Sequence, residues 1–162
     1  MTGDAVRFLM DVSTYAERIF AAPRQQVFDT CLDNDNAVRF FTAYGPIPGV
    51  VGCSLRDADA LAVGVRRIIT TSDGVTMDEE ILAYESPVLQ TYRWGGQLKP
   101  PLAWLVRTGT GHWTFDEIPE GTRVRWTYTF AMTTPLVWPV MWVLSQLFRR
   151  WMTRALDGLA TA

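Results

Sequence analysis

The sequence contains few of the residues on which metal centres, thiol chemistry and nucleic-acid binding depend. Its 162 residues include one histidine, His112, and two cysteines, Cys31 and Cys53, which form no CxxC pair. A single histidine excludes a multi-histidine metal site and argues against a Ser-His-Asp triad. Fifteen basic and seventeen acidic side chains give a net charge of −2, which disfavours a polyanionic partner. We therefore expect no nucleic acid, no metal and no cofactor.

Motifs for nucleotide and hydrolase chemistry are also missing. The sequence has no GxGxxG, no glycine-rich phosphate loop with lysine, no GxSxG and no HExxH. Residues 1–10 include Asp4 and Arg7 and lack the apolar core of a signal peptide, which predicts a cytoplasmic protein. Residues 135–148 are nearly all apolar, but this run is shorter than the roughly twenty residues of a membrane span. It predicts a buried core helix, with a membrane-surface or dimer-interface helix as the alternative.

The chain is rich in apolar and aromatic residues. Hydrophobic residues make up 48% of the sequence and charged residues 20%, and there are seven Trp, eight Phe and five Tyr. This composition is typical of a globular protein, and the length predicts one domain spanning residues 1–162. Large aromatic side chains suit both a core and an apolar ligand pocket.

Periodicity and turn residues predict one strand, two short helices, six further strands and a long final helix. The predicted strands are residues 12–21, 50–56, 62–71, 75–84, 88–94, 105–115 and 122–133; the predicted helices are residues 23–32, 37–41 and 135–159. Consecutive strands joined by tight turns predict an antiparallel sheet that must bury one face. The final helix is the element large and apolar enough to cover that face, which gives an α+β architecture. Pro139 would then kink this helix.

Several stretches of sequence carry a family resemblance. They are RIFAAPRQQVFDTCLD (residues 18–33), VGVRRIITTSDGVTMDEEILAYESP (63–87), GTGHWTF (109–115), GTRVRWTYTF (121–130) and the terminal run 148–159. In this order they resemble the START-like or Bet v 1-like superfamily, also called SRPBCC or polyketide cyclase/dehydrase and lipid transport. The resemblance implies a helix-grip fold, a seven-stranded curved sheet around the C-terminal helix with two short helices after the first strand. Members bind lipids, sterols, hormones or polyketides between sheet and helix, and some cyclise or dehydrate polyketides.

Alternation along two strands predicts an arginine and a glutamate on the inner face of the sheet. Arg67 precedes the hairpin turn at residues 72–74, and Glu79 follows it. A three-residue turn would place the two opposite each other, whereas a two-residue turn would shift the register by one. An inward ion pair is costly to desolvate. It predicts either a polar anchor for a ligand carboxylate, carbonyl or hydroxyl, or a structural salt bridge, and both interpretations stay open.

Other side chains follow from the same alternation. His112 alternates with inward-facing Trp113 and therefore points outward, unless Gly109 and Gly111 allow a β-bulge that reverses it. Tyr128 points inward and would donate a hydrogen bond to a ligand or to the backbone. The segments 40–48 and 95–104 are expected at the cavity mouth. The candidates for catalysis are Arg67, Glu79, His112 and Tyr128; the candidates for ligand binding are Arg67, Glu79, Met77, Ile81, Trp94, Trp126, Tyr128 and Trp142.

Three functions remain open from the sequence. The first is binding of a hydrophobic small molecule by a monomer or homodimer. The second is a polyketide cyclase, aromatase or dehydratase without metal or nucleotide cofactor, using the polar groups of the same cavity. The third is an interaction module whose C-terminal helix, through Trp138, Trp142 and Trp151, docks a partner chain or, as the less favoured partner, a membrane surface.

Overall fold

A curved seven-stranded antiparallel sheet and one long helix form most of the computed structural model, which describes residues 10–95 and 98–162. The strands are β1 (Asp11–Phe20), β2 (Val50–Arg56), β3 (Arg66–Thr71), β4 (Thr76–Glu85), β5 (Leu89–Gly95), β6 (Val106–Ile118) and β7 (Gly121–Met132). The helices are α1 (Arg24–Leu32), α2 (Asn34–Phe40), α3 (Leu102–Leu105) and α4 (Trp138–Leu159). The sheet order is β1-β7-β6-β5-β4-β3-β2. The predicted helix-grip architecture is confirmed.

Local sequence explains the two short helices after β1. Pro23, with φ fixed near −61°, precedes α1, and α1 buries Val27, Phe28, Cys31 and Leu32 on one face. The Asp33 carboxylate accepts a hydrogen bond of 2.9 Å from the backbone N–H of Asn36 and so caps the start of α2. α1 therefore begins next to the predicted Pro23, whereas α2 begins at Asn34 instead of residue 37, because its N-cap is Asp33.

One strand boundary and one short helix differ most from the prediction. β3 begins at Arg66 instead of residue 62, because Asp57 and Gly64 adopt positive φ angles and the chain between them forms a loop. That loop is fastened to β4, since the N–H of Gly64 donates to the Ile81 carbonyl at 2.8 Å. The one-turn helix α3 was missed, because four residues are too few for a helical period. The predictions for residues 1–9 and 96–97 lie outside the described residues.

The C-terminal helix is buried on one side and bare on the other. Residues 135–137 form a 3₁₀ turn, and Pro139 lies in the first turn of α4, where its missing N–H costs no hydrogen bond. The predicted kink is therefore wrong. The second half of α4 buries Trp151, Met152, Ala155, Leu156 and Leu159. Within the described residues no helix is long and apolar enough to span a bilayer.

The first half of α4 corrects the prediction of a buried core helix for residues 135–148. Trp138, Val140, Trp142 and Val143 are each about half exposed, while Met141 on the opposite side is buried. The sheet covers one side of the helix, so the apolar residues on its outer side are only about half covered by the described residues.

Candidate functional site

A cavity of about 630 Å³ lies between the inner face of the sheet and α4. Small-molecule sites in proteins have volumes of roughly 300–1,000 Å³. The wall is mostly apolar and comes from five sources: the sheet, the two short helices, the segment 41–48, the segment 98–105 and α4. Its main apolar members are Cys31, Leu32, Phe41, Ile69, Met77, Trp94, Trp113, Trp126, Phe130, Met141, Leu144, Phe148 and Trp151. The segments expected at the mouth contribute Pro46–Pro48 and Leu98–Leu102.

Arg67 and Glu79 form a buried ion pair on this wall. The β3–β4 hairpin places them directly opposite each other, as the longer turn predicts. Arg67 Nε donates to Glu79 Oε1 at 2.8 Å, and Nη2 lies 2.7 Å from the same oxygen. Burial by itself would lower the pKa of Arg67, but the Glu79 carboxylate more than compensates and raises this pKa above its usual range. The guanidinium is therefore a permanent cation with its counter-ion beside it.

Two buried tyrosines lie next to this ion pair. Tyr128 Oη accepts a hydrogen bond from the Trp94 indole N–H, and Tyr92 Oη accepts one from Trp126 Nε1 at 3.2 Å. The ring centroids of Tyr92 and Tyr128 are 6.2 Å apart, and the Arg67 guanidinium carbon lies 5.5 Å from the Tyr92 ring centroid. Burial, reinforced by the negative charge of Glu79, raises the pKa of both phenols well above the usual value. Both tyrosines are therefore neutral at physiological pH.

Tyr92 is the residue beside the buried ion pair that strand alternation did not identify. It pairs with Gly111 of β6 as Trp94 pairs with Gly109. A Cβ on Gly111 would lie 2.6 Å from Tyr92 Cε1, and one on Gly109 would lie 2.8 Å from Trp94 Nε1. The two glycines therefore leave the space that both aromatic rings occupy. Glycines at alternate positions opposite two aromatic residues were the available signal.

His112 lies on the outer face of the sheet, away from the cavity. The register of β5–β6–β7 is regular from Gly109 to Phe115, and the irregularity in β6 falls between Val106 and Thr108 instead. The simple alternation therefore holds. His112 Nδ1 lies 2.6 Å from Thr91 Oγ1, so the ring is tied to a neighbouring strand on that face.

Six of the eight side chains predicted to bind a ligand line the cavity: Arg67, Glu79, Met77, Trp94, Trp126 and Tyr128. Ile81 is fully buried but belongs to the packed core farther along β4. Trp142 follows cavity-lining Met141 on α4 and so points about 100° away around the helix, where it is 49% exposed. The structure thus places neither Ile81 nor Trp142 at the cavity wall.

Charged and thiol groups complete the site. At the mouth, Lys99 Nζ donates to the Asp73 carbonyl oxygen at 2.8 Å, and both residues line the cavity. Burial raises the pKa of the Cys31 thiol far above its usual value and that of Cys53 to about 11. Neither is an activated nucleophile. In the part of the chain that the structure describes, no group of His, Cys, Asp and Glu residues is placed to hold a metal ion.

Comparison with known proteins identifies relatives of this fold. A family model described as polyketide cyclase/dehydrase and lipid transport matches residues 11–162. Major latex-like protein 151 from Panax ginseng superposes with a TM-score of 0.70 at 13% identity, over 94% of this chain and 97% of that one. Ara h 8.0201 gives 0.67 at 12% identity over 94% and 99%. A protein from Thermus thermophilus gives 0.64 at 21% identity over 93% and 95%. No curated protein matches in sequence.

Proposed function

This chain belongs to the polyketide cyclase/dehydrase and lipid transport family, of the START-like and Bet v 1-like superfamily, and we propose that it binds a hydrophobic small molecule between sheet and α4. The observation that carries the proposal is the cavity of about 630 Å³ with mostly apolar walls. Trp94, Trp113 and Trp126 provide flat, rigid surface on the sheet side. A lipid or polyketide-like molecule fits this combination of apolar wall and a small polar cluster.

A cavity-filling substitution tests the proposal. Leu144 on α4 lines the cavity, whereas Leu147, half-buried on the same helix, does not. Leu144→Trp should therefore occupy the cavity, and Leu147→Trp is the matched control. The neutral probe N-phenyl-1-naphthylamine should brighten with wild type and with Leu147→Trp, but not with Leu144→Trp. Equal brightening by both variants would place the bound probe elsewhere on the protein and refute the proposal.

A second candidate function, polyketide cyclisation or dehydration, is favoured by the convergence of Arg67, Glu79, Tyr92 and Tyr128 on one part of the cavity. A phenol would polarise a substrate carbonyl and Glu79 would take a proton. Binding without turnover ranks first, because a general acid or base works best with a pKa near the operating pH. Both phenol pKa values are raised far from neutrality, and the Glu79 carboxylate already forms a salt bridge with Arg67. If the enzyme hypothesis is right, wild type should consume a linear poly-β-ketone thioester and Glu79→Gln should not.

A third candidate function, docking to an anionic membrane surface, is favoured by exposed apolar side chains on α4 and on the segments next to the cavity. These side chains are Trp104, Leu136, Trp138, Val140, Trp142 and Val143, and Val140 also lines the cavity. The neighbouring segments 98–107 and 131–148 contain two basic and no acidic residues, in a chain of net charge −2. Aromatic side chains and basic charge together suit a membrane interface.

Vesicle co-sedimentation tests this third candidate. Trp138→Ser/Trp142→Ser should reduce binding to phosphatidylserine vesicles by at least tenfold. Val51→Ser/Val63→Ser removes comparably exposed apolar side chains elsewhere and should not reduce it. Equal binding by both variants would contradict membrane docking. A mass that doubles with concentration, and only in proteins that keep the tryptophans, would assign this surface to a homodimer instead.

A further inference from the structure

We propose that the ligand is uncharged and carries a keto or hydroxyl oxygen, and that the cavity discriminates against carboxylates. This inference rests on the proposed binding function and specifies the substrate class. It follows from two properties of the cavity wall: which hydrogen-bonding positions remain open, and how its charges balance.

The Tyr92–Tyr128 pair supplies an open, uncharged donor beside the ion pair. An indole N–H can only donate, so Tyr128 and Tyr92 use a lone pair to accept from Trp94 and Trp126. Each phenol keeps its own proton, and no described residue outside this tyrosine pair accepts it in a hydrogen bond. Because burial keeps both groups protonated, at least one O–H can donate to a ligand oxygen, even if one phenol donates to the other. A carbonyl or hydroxyl oxygen is the neutral partner that such a donor requires.

The open acceptor is the second oxygen of Glu79. Both contacts from Arg67, through Nε and Nη2, end on Oε1. A carboxylate offers about four lone-pair positions, so Oε2 has capacity to accept from a ligand hydroxyl. A ligand that carries a hydroxyl beside a carbonyl would therefore satisfy Glu79 and a phenol together.

The charges on the cavity wall already cancel. Arg67 is neutralised by Glu79 at 2.7 Å, and Lys99 and Asp73 at the mouth carry one charge of each sign. A ligand carboxylate seated beside the phenols would add a second anion next to Glu79 and would have to share Arg67 with it, because Lys99, the other described cation of the wall, lies at the mouth. An uncompensated buried charge is strongly unfavourable, whereas a neutral oxygen with a hydrogen bond is not. The Arg67 guanidinium therefore pairs with Glu79, and a ligand carboxylate would have to compete for it.

A matched ligand series tests this inference: decan-2-one, decan-1-ol, decanoic acid and decane, each competing with N-phenyl-1-naphthylamine at pH 7.5. We expect the ketone and the alcohol to bind about tenfold tighter than decane, consistent with one net hydrogen bond. We expect decanoic acid to bind at least tenfold more weakly than the ketone. Its affinity should rise as the pH falls toward the acid's own pKa, about 4–5, while the ketone's affinity stays level.

Each contrary result has a distinct meaning. Decanoic acid binding at pH 7.5 as tightly as the ketone would overturn the inference. Equal affinity for all four compounds would also overturn it, but would leave the proposed binding function standing. Failure of every compound, decane included, to displace the probe would instead overturn the binding function itself.

Two isosteric variants locate the contact. Tyr92→Phe/Tyr128→Phe keeps the ring volume and removes both donors, so it should abolish the ketone's advantage over decane without changing decane's affinity. Tyr84→Phe is the control, because Tyr84 packs against Phe28 outside the cavity wall. If the double variant keeps the full advantage of the ketone, the phenols do not hold the ligand oxygen. A purely structural role for the tyrosines would change the affinity for decane as well.

Discussion

Removing one partner of the Arg67–Glu79 pair should be far more damaging than removing both. The pair is about 93% buried, so Arg67→Met would leave the Glu79 carboxylate in an apolar wall without its cation. Breaking a buried pair from one side costs about 3–5 kcal/mol, whereas replacing both partners by apolar groups is often neutral or stabilising. In a chain of this length, that cost corresponds to a fall in Tm on the order of 10 °C.

Urea unfolding of a double-mutant cycle measures this difference. Arg67→Met and Glu79→Leu should each lower the free energy of unfolding by about 3–5 kcal/mol, and the double variant by about 1 kcal/mol or less. The exposed pair Arg125–Glu17, with an N–O distance of 3.0 Å, is the control. There, each single substitution should cost less than about 1 kcal/mol. Single Arg67 or Glu79 variants within that small range, or additive losses in the double variant, would refute the buried-pair account.

Three further predictions concern packing and pH. Gly111→Ala should lower the free energy of unfolding in urea by about 1–3 kcal/mol and impair ketone binding, because the new Cβ overlaps Tyr92. Gly52→Ala is the control and should be nearly neutral, because its Cβ would lie 3.4 Å from Thr70 Cβ. Gln90→Met should be neutral or stabilise by about 1–2 kcal/mol, since both amide atoms of this fully buried side chain have no hydrogen-bond partner among the described residues; a loss above about 2 kcal/mol would disprove this. Folding raises the pKa values of the Tyr92 and Tyr128 phenols. Their contribution to the free energy of unfolding should therefore be fully present below about pH 9 and should fall as the pH rises past the phenol pKa of the unfolded chain, near 10. Urea midpoints at pH 8 and 11 should show a smaller fall for Tyr92→Phe/Tyr128→Phe than for wild type.

Strand alternation was sufficient to predict much of the cavity wall. A half-buried strand has a side-chain period of two, so Arg67, Glu79, Trp126 and Tyr128 could be assigned to the inner face from their apolar neighbours. The hairpin at residues 72–74 then determined which of them meet, and the register Arg67–Glu79 is present in the structure. Local turn chemistry therefore carried information about the site as well as about the fold.

Alternation along one strand does not predict contacts between strands that are distant in sequence. Tyr92 could be identified as a cavity residue only from its pairing with Gly111, nineteen positions later. The sequence pattern of Gly109 and Gly111 had instead suggested a possible β-bulge. Alternation also cannot say where along an inward face the packed core ends and the cavity begins. Ile81 shares a face with Glu79 but lies in the core, because distance along β4 separates them.

The extent to which a helix is covered was likewise not encoded in its apolar pattern. Residues 135–148 are apolar on all sides, which predicts burial on all sides. The sheet covers one of those sides, and Trp138 and Trp142 remain exposed on the other. An apolar surface can be excluded from solvent by a partner as well as by the chain itself, and sequence periodicity does not distinguish the two.

The central claim, that the space beneath α4 holds one neutral apolar molecule, is tested most directly by native mass spectrometry with decan-2-one. Wild type and Leu147→Trp should each show a one-to-one adduct, and Leu144→Trp, whose new side chain fills the cavity, should show none. An adduct of equal intensity in Leu144→Trp, or no adduct in the wild-type protein, would contradict the claim.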